Sequence, residues 1–257
     1  PVLFVFNIIL FIFISIRAYK SRQRRIEEER VEWIAGVSHD IRTPLAVILG
    51  NVQMIPKESN MDEIKRKAEI IESQGLRIRA LVENLNITSK LDFGTKRFEK
   101  SKVCLSTLIR KIVSNTINSL DIDAQSKYDF ELNIEDELQK YEISLNEELF
   151  ERAVINLLNN AFRHNPDGCQ VYINLYKENK KTVLEIGDGG SGVPAEILQR
   201  LNQRSYAESK SVGKHGHGLK IVKKVVEFHR WKVRFINGEN AGFVCRMEIK
   251  GGVKKLY

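Results

Sequence analysis

Four short stretches of this 257-residue chain carry side chains whose types and spacing could do chemistry. The first is Ser38-His39-Asp40-Ile41-Arg42-Thr43-Pro44-Leu45. A neutral imidazole is a nucleophile at physiological pH, and a neighbouring carboxylate can accept the proton of its other ring nitrogen. The second runs Asn156-Leu157-Leu158-Asn159-Asn160-Ala161-Phe162-Arg163-His164. Asn156 and Asn160 are four apart and share a helix face. Amide oxygens are hard ligands suited to Mg²⁺, and Arg163 is placed to meet phosphate charge. The third, Asp188-Gly189-Gly190-Ser191-Gly192-Val193-Pro194, follows a strand. Its carboxylate is an acceptor that can take the amino hydrogens of adenine, and its glycines let backbone approach a ligand closely. The fourth, Gly213-Lys214-His215-Gly216-His217-Gly218-Leu219, runs glycine into a helix N-terminus, where anions are favoured. Taken singly, each also fits a plainer reading: a surface histidine, a polar helix face, a tight turn, and a glycine pair that is no Walker A loop.

The elements around these stretches narrow the choice. Ile34, Val37, Ile41, Leu45, Ile48, Val52 and Ile55 recur at spacings of three and four, a seam of coiled-coil type. A break at Pro56-Lys57-Glu58-Ser59-Asn60 separates it from a second seam through Ile64, Ala68, Ile71, Gly75, Ile78, Val82 and Leu85. Two such helices predict an antiparallel hairpin, and a dimeric four-helix bundle is the simplest way to cover both seams. At about 100° per residue His39 falls roughly 160° from the centre of its seam, so it faces solvent together with Thr43. Pro44 sits inside the helix, removes one backbone bond and costs about 3 kcal/mol or more, a strain that often marks a working site.

Residues 1–16, PVLFVFNIILFIFISI, hold no charge, and Arg17, Lys20, Arg22, Arg24 and Arg25 follow. The basic residues come after the apolar run and no small-residue cleavage site is visible, which favours a membrane helix over a signal peptide. A span needs about 20 apolar residues, so the run reads as a helix that starts upstream of Pro1. The positive-inside rule then puts the rest in the cytoplasm, in keeping with three cysteines, Cys104, Cys169 and Cys245, that form no zinc or disulfide pattern. Of the net charge of +8, five units sit in that basic cluster, so a nucleic-acid partner is not expected. A composition of 42% hydrophobic and 29% charged residues excludes both a multi-span membrane protein and a disordered chain.

Beyond a polar stretch at Asp92–Arg97, helices are expected over residues 105–117, 146–164 and 218–228. Strands are expected over 128–134, 171–176, 182–186, 232–236 and 243–249. Strands that come in hairpins, with helices grouped apart, predict an α+β two-layer sandwich and not a Rossmann sheet.

In register, the stretch from His39 to Leu45 resembles the H-box of sensor histidine kinases, with the pattern His, acid, any residue, base, Thr, Pro, Leu. The other three stretches, in their order along the chain, look like the N, G1 and G2 boxes of the same kinases, whose ATP-binding domain is shared with gyrase and the mismatch-repair ATPases. The resemblance covers nearly all of residues 30–250. It implies ATP and Mg²⁺ as cofactors, with Asn160 holding the metal, Asn156 assisting and Arg163 on phosphate. It implies that Asp188 reads adenine, that Gly190 and Gly192 shape the pocket with His164 and Leu219 beside it, and that Gly216 and Gly218 fix its phosphate end. His39 is then the phospho-acceptor, Asp40 its general base, and Thr43 the residue that positions water for dephosphorylating the partner. That partner is the receiver domain of a response regulator, which accepts the phosphoryl group on aspartate. The chain departs from the family pattern at Gly189, where asparagine is usual, at 198–206, where no phenylalanine box is legible, and at Lys214 and His215, where more glycine is usual. No HAMP module fits between the apolar run and His39.

The expected layout is a membrane helix at 1–17, a helical linker at 18–30, a dimerisation and phosphotransfer hairpin at 31–92, a linker at 93–102, a catalytic ATP-binding domain at 103–250 and a tail at 251–257. Two rivals stand beside the kinase reading. One is an ATP-driven clamp like the gyrase relatives, which has no need of an exposed His-Asp pair. The other is a pseudokinase scaffold that binds nucleotide without efficient autophosphorylation.

Overall fold

The computed structural model describes residues 2–55, 60–93, 98–203, 217–238, 242–250 and 254–255. The chain divides into two compact units, Pro1–Leu85 and Asn86–Tyr257.

The first unit is the helical hairpin that the two seams predict. Helix α1 (Val2–Gln53) runs from the apolar segment through the first seam without interruption, and α2 (Met61–Phe93) carries the second. Asn60 starts α2: its Oδ1 accepts the Glu63 amide at 2.8 Å, a cap that satisfies one open donor of the first turn. Lys67 joins the two helices. Its buried ammonium donates to the Met54 carbonyl and, at 2.8 Å, to Glu63, whose carboxyl it holds below the usual carboxylate range. The seams are only half covered within one chain. Ile41, Ile48, Ile64, Ile71, Ile78 and Leu85 are partly buried, whereas Leu45 is 43% and Val52 51% exposed. Pro44 lies within α1 and is buried. Among the described residues no helix is long and apolar enough to cross a membrane. Phe4, Phe11, Phe13 and Ile14 of the apolar run stand exposed, while the side chains of Val2, Leu3, Val5, Phe6, Ile8 and Ile9 are outside the described set. The expected span over 1–17 therefore rests on the sequence.

The second unit is an α/β sandwich. Five strands, β2 (Tyr128–Ile134), β4 (Cys169–Glu178), β5 (Lys181–Asp188), β6 (Lys232–Asn237) and β7 (Phe243–Ile249), form one sheet in the order β2-β4-β5-β7-β6. Helices α3 (Leu105–Asn118), α5 (Glu147–His164) and α7 (His217–Phe228) form the second layer, with short α4 (Ile122–Lys127) and α6 (Ala195–Asn202) at its margins. A small second sheet pairs β1 (Ser101–Cys104) and β8 (Lys254–Lys255) on either side of β3 (Tyr141–Leu145).

Pleat and burial agree along the main sheet. Val171, Ile173 and Leu175 of β4 point into the core, as do Thr182, Leu184 and Ile186 of β5 and Phe243, Cys245, Met247 and Ile249 of β7. They meet Leu149, Phe150, Val154, Leu157 and Leu158 of α5 and Ile221, Val222 and Val225 of α7. Ile87 and Leu91, at the end of α2, pack into the same core. The all-hairpin expectation needs one correction. β4–β5, β5–β7 and β6–β7 are antiparallel, but β2 lies parallel to β4. The intervening β3 and α5 supply the crossover that a parallel pair requires. The β4–β5 hairpin turns on Asn179 and Lys180, both at positive φ, the two-residue turn whose twist matches the strands.

Candidate functional site

Helix α5 sets up the site. Asn146 caps it by accepting the Leu149 amide at 2.9 Å, Glu147 and Glu148 occupy its first turn, and Arg163 and His164 its last, each suited to the helix dipole. With Leu149, Phe150, Ala153, Val154, Leu157, Leu158 and Ala161 fully buried, the asparagines fall at the border of the apolar face. Asn156 Nδ2 donates to the Arg152 carbonyl at 2.8 Å, and its Oδ1 is turned toward Gly218. Asn165, just past the helix, donates to the Ala161 carbonyl at 2.9 Å. Asn160 differs: it is half-buried, and among the described residues its side-chain amide makes no hydrogen bond. A half-buried amide in that state is open to an incoming ligand, since leaving it unmet costs free energy.

Asp188 closes β5 at the same end of the sheet, and it is 5% exposed. Its Oδ1 accepts the Gly190 amide at 3.0 Å, which curls the following loop back over the strand end. A methyl group at Gly190 would sit 2.1 Å from Asn165 Oδ1, so this loop lies directly against the C-terminus of α5. Gly192 has φ of +71°, the left-handed region that a side chain disfavours. Partial desolvation, with the Arg163 guanidinium beside it, holds the His164 imidazole below its ordinary value, and nearby Asp188 pulls the other way.

Helix α7 provides the third wall. A methyl group at Gly218 would meet Asn156 Oδ1 at 3.1 Å, so the first turn of α7 passes close over the middle of α5. Leu219 is buried next to it. The structure thus brings Asn156, Gly218 and Leu219 together at one side, and Asp188, Gly190 and His164 together at the other, with Asn160 on the helix between them. Gly216, Lys214 and His215 lie outside the described residues. His39 and Asp40 are on α1 by backbone, but their side chains are also outside the described set. Thr43 is exposed. Among the described residues no group of three or more His, Cys, Asp or Glu side chains is placed to hold a metal ion. A cation that takes one amide oxygen and completes its shell with phosphate and water, as Mg²⁺ does, fits the donors present.

Several residues of the site are invisible to motif reading. Asn237, at the end of β6, brackets Val193: its Oδ1 accepts the Val193 amide at 3.0 Å and its Nδ2 donates to the Val193 carbonyl at 2.9 Å. Asn202 does the same to Phe235 at 2.9 and 2.7 Å. Buried Lys223 of α7 donates to the Gln203 carbonyl at 2.7 Å, with desolvation holding its ammonium below the ordinary lysine value. These partners are 20 to 44 residues apart in sequence, so no spacing rule could have paired them.

Comparison with known proteins agrees with this geometry. Residues 29–94 match the His Kinase A (phospho-acceptor) domain, and residues 145–252 match the histidine kinase-, DNA gyrase B- and HSP90-like ATPase family. The sensor histidine kinase YvrG of Bacillus subtilis is 27% identical over 242 residues, covering 92% of this chain and 41% of the relative. The sensor protein KdpD of Clostridium acetobutylicum is 30% identical over 236 residues, covering 87% of this chain and 25% of the relative. The chain therefore spans less than half the length of these relatives. The histidine kinase AdeS of Acinetobacter baumannii shares the fold, with a TM-score of 0.60 at 18% identity over 83% of this chain and 98% of the other. The two matches put a phospho-acceptor hairpin ahead of an ATPase-type sandwich, which is the domain pair of the two-component sensor histidine kinases.

Proposed function

We propose that this chain is an ATP-dependent protein-histidine kinase that phosphorylates its own His39 and passes the phosphoryl group to an aspartate of a response regulator. The Asn160 amide, without a hydrogen-bond partner among the described residues and on the helix between the buried carboxylate of Asp188 and the start of α7, carries this reading. Asp188 takes the amino hydrogens of the adenine ring, and the glycine loop after it accommodates the base. The α7 N-terminus and Arg163 meet the phosphates. Asn160, with Asn156, would hold Mg²⁺, which supplies charge neutralisation between the phosphates. Phosphoryl transfer asks the protein mainly for in-line positioning and charge compensation, and these residues offer both.

One imidazole nitrogen of His39 attacks the γ-phosphorus, the bond to the β–γ bridging oxygen breaks, and ADP leaves. Asp40 accepts the proton of the other ring nitrogen. A match to the phospho-acceptor family over residues 29–94 supports His39 as the acceptor. Thr43, exposed one turn further along α1, is the residue proposed to orient water when the phosphorylated regulator is hydrolysed. Half-exposed Leu45 and Val52 favour a homodimer that completes a four-helix bundle. Exposed Phe4, Leu10, Phe11, Phe13 and Ile14, followed by Arg17 and Lys20, support attachment to the cell membrane through the start of the first unit, with the phospho-acceptor stretch and the second unit on the cytoplasmic side.

Incubation with [γ-³²P]ATP and Mg²⁺ tests the proposal. Label that is acid-labile and alkali-stable is expected on the wild type and absent from His39→Gln. Persistent label on His39→Gln would remove the acceptor from this account, and nucleotide binding without any label would favour the pseudokinase scaffold.

A further inference from the structure

The loop that follows Asp188 has to keep one shape for the base pocket to exist, yet three of its six residues, Gly189–Pro194, are glycine. Glycine carries the largest conformational entropy in a flexible loop, so something outside the loop must hold it. Contacts within the loop supply one restraint, the Asp188 Oδ1 to Gly190 amide bond. The others come from the ends of β6 and β7. Asn237 grips both backbone polar groups of Val193, one residue past Gly192. Gly238 donates its amide to the Gly242 carbonyl at 2.7 Å, which ties these two ends together. Gly242 then abuts Asp188 so closely that a methyl group there would fall 1.6 Å from the Asp188 carbonyl oxygen. Phe243, next along β7, is buried and directs its amide toward Asp188 Oδ1 at 3.5 Å.

We propose that the facing ends of β6 and β7, Asn237–Gly238 and Gly242–Phe243, are the positioning element of the nucleotide-base loop, with Asn237 as the residue that locks the far end of that loop. These strand ends touch Asp188 through Gly242 and Phe243, and the far end of the loop through Asn237. Both anchor points of the loop thus belong to one pair of antiparallel strands of the sheet. A side-chain amide suits this task because it presents a donor and an acceptor in one plane, the pattern of a neighbouring strand. Aspartate offers only the acceptor, and leucine offers neither. Loop order is established before nucleotide arrives, so the free energy of binding is not spent on it. Loss of Asn237 therefore weakens nucleotide affinity while the chemical step at saturating ATP is unchanged.

This inference rests on the reading that Asp188 and its loop bind the base of ATP, and the experiment separates the two. Titration of the whole chain with ADP and Mg²⁺ is followed by calorimetry for wild type, Asn237→Leu, Asn237→Asp, Asp188→Asn and, as a control, Asn133→Ala, whose amide bonds lie on the β2 edge. Asn237→Leu should raise Kd about tenfold, which is about 1.4 kcal/mol. Asn237→Asp should fall between it and the wild type, because the Val193 amide keeps its acceptor. Autophosphorylation should show the same tenfold rise in KM for ATP with kcat within a factor of two. Melting temperatures of Asn237→Leu and Asn133→Ala should match, so the affinity change is not general loosening. Unchanged Kd in Asn237→Leu, with binding lost in Asp188→Asn, would overturn the inference alone. Undiminished binding in Asp188→Asn would overturn the base-site reading on which it stands. A fall in kcat with unchanged KM would also refute a positioning role through the loop.

Discussion

His229 provides the most direct test of how the α/β sandwich is held together, because its charge state is fixed by geometry. The ring is 4% exposed at the end of α7. Its Nε2 accepts the Asn146 amide at 2.9 Å, and its Nδ1 lies 2.8 Å from the Val225 carbonyl. Only the neutral tautomer with hydrogen on Nδ1 satisfies both bonds. Trp231 stacks on the ring at 4.5 Å, Phe228 meets it edge-on, and the Lys100 ammonium lies over the Phe228 ring. Desolvation, against a smaller upward pull from the Val225 carbonyl and with further lowering by Lys100, pushes its pKa from 6.5 to about 4. The folded state thus resists protonation while the unfolded chain takes the proton near pH 6.5. A gap of about 2.5 pH units at about 1.4 kcal/mol each makes neutral His229 contribute about 3 kcal/mol, fully present above pH 6.5 and lost progressively as pH falls toward 4. Between pH 7 and pH 5 about 2 kcal/mol should go, or about 4–8 °C in melting temperature for a domain of this size. Carboxylates titrate in the same range, so the informative quantity is the difference between wild type and His229→Gln. Melting followed by circular dichroism at pH 7 and pH 5 should show a variant that is less stable at pH 7 but loses about 2 kcal/mol less on acidification. Parallel pH profiles for the two proteins would refute a neutral, capping His229.

Three further outcomes follow from the site and the hairpin. Asn160→Asp replaces an amide oxygen by a charge next to the nucleotide phosphates, and autophosphorylation should fall at least a hundredfold, about 2.7 kcal/mol, with the melting temperature held; near-normal label would exclude Asn160 as a ligand. Gly190→Ala places a methyl group 2.1 Å from Asn165 Oδ1, so overpacking of about 1–3 kcal/mol and a clear loss of ADP affinity are expected by thermal shift and calorimetry. Val52→Lys puts a charge on a seam position that is half exposed in the single chain, and light scattering should find monomers where the wild type gives dimers, with the second unit's melting unchanged.

The sequence disclosed the long periodic elements and the short chemical motifs, and these are different kinds of signal. Seam residues such as Ile41, Ile48 and Ile71 repeat at helical spacing whatever they pack against, so both hairpin helices were legible. The buried strands β5 and β7 announced themselves as apolar runs. β1, β3 and α6 did not. β1 has four residues and β3 five, too short for a period to emerge, and α6 packs chiefly through Leu201, with Ile197 left exposed. The parallel β2–β4 pairing was hidden because register between distant strands depends on how α5 folds over the sheet. At the site, Asp188, Gly190 and Gly218 were legible since their roles are local: a strand end, a close approach and a helix start. Asn237 and Asn202 were not, since each acts on backbone more than 30 residues away.

The half-buried asparagines of the second unit show what hydrogen-bond accounting adds to motif reading. Asn146, Asn156, Asn160, Asn165 and Asn174 are alike in type and similar in burial. The structure separates them. Asn146 caps a helix, Asn156 and Asn165 return their amide hydrogens to carbonyls one turn back, and Asn174 accepts from Asn133 across two strands. Each of these four has at least one hydrogen-bond partner within the protein. Asn160 has no such partner among the described residues, which is what the proposed ligand role asks of it. Residues one helical turn apart thus differ: the Asn156 amide hydrogens are tied to the Arg152 carbonyl where α5 meets α7, which leaves only its oxygen to assist at the proposed metal, while the whole Asn160 amide is left for the proposed nucleotide and its metal.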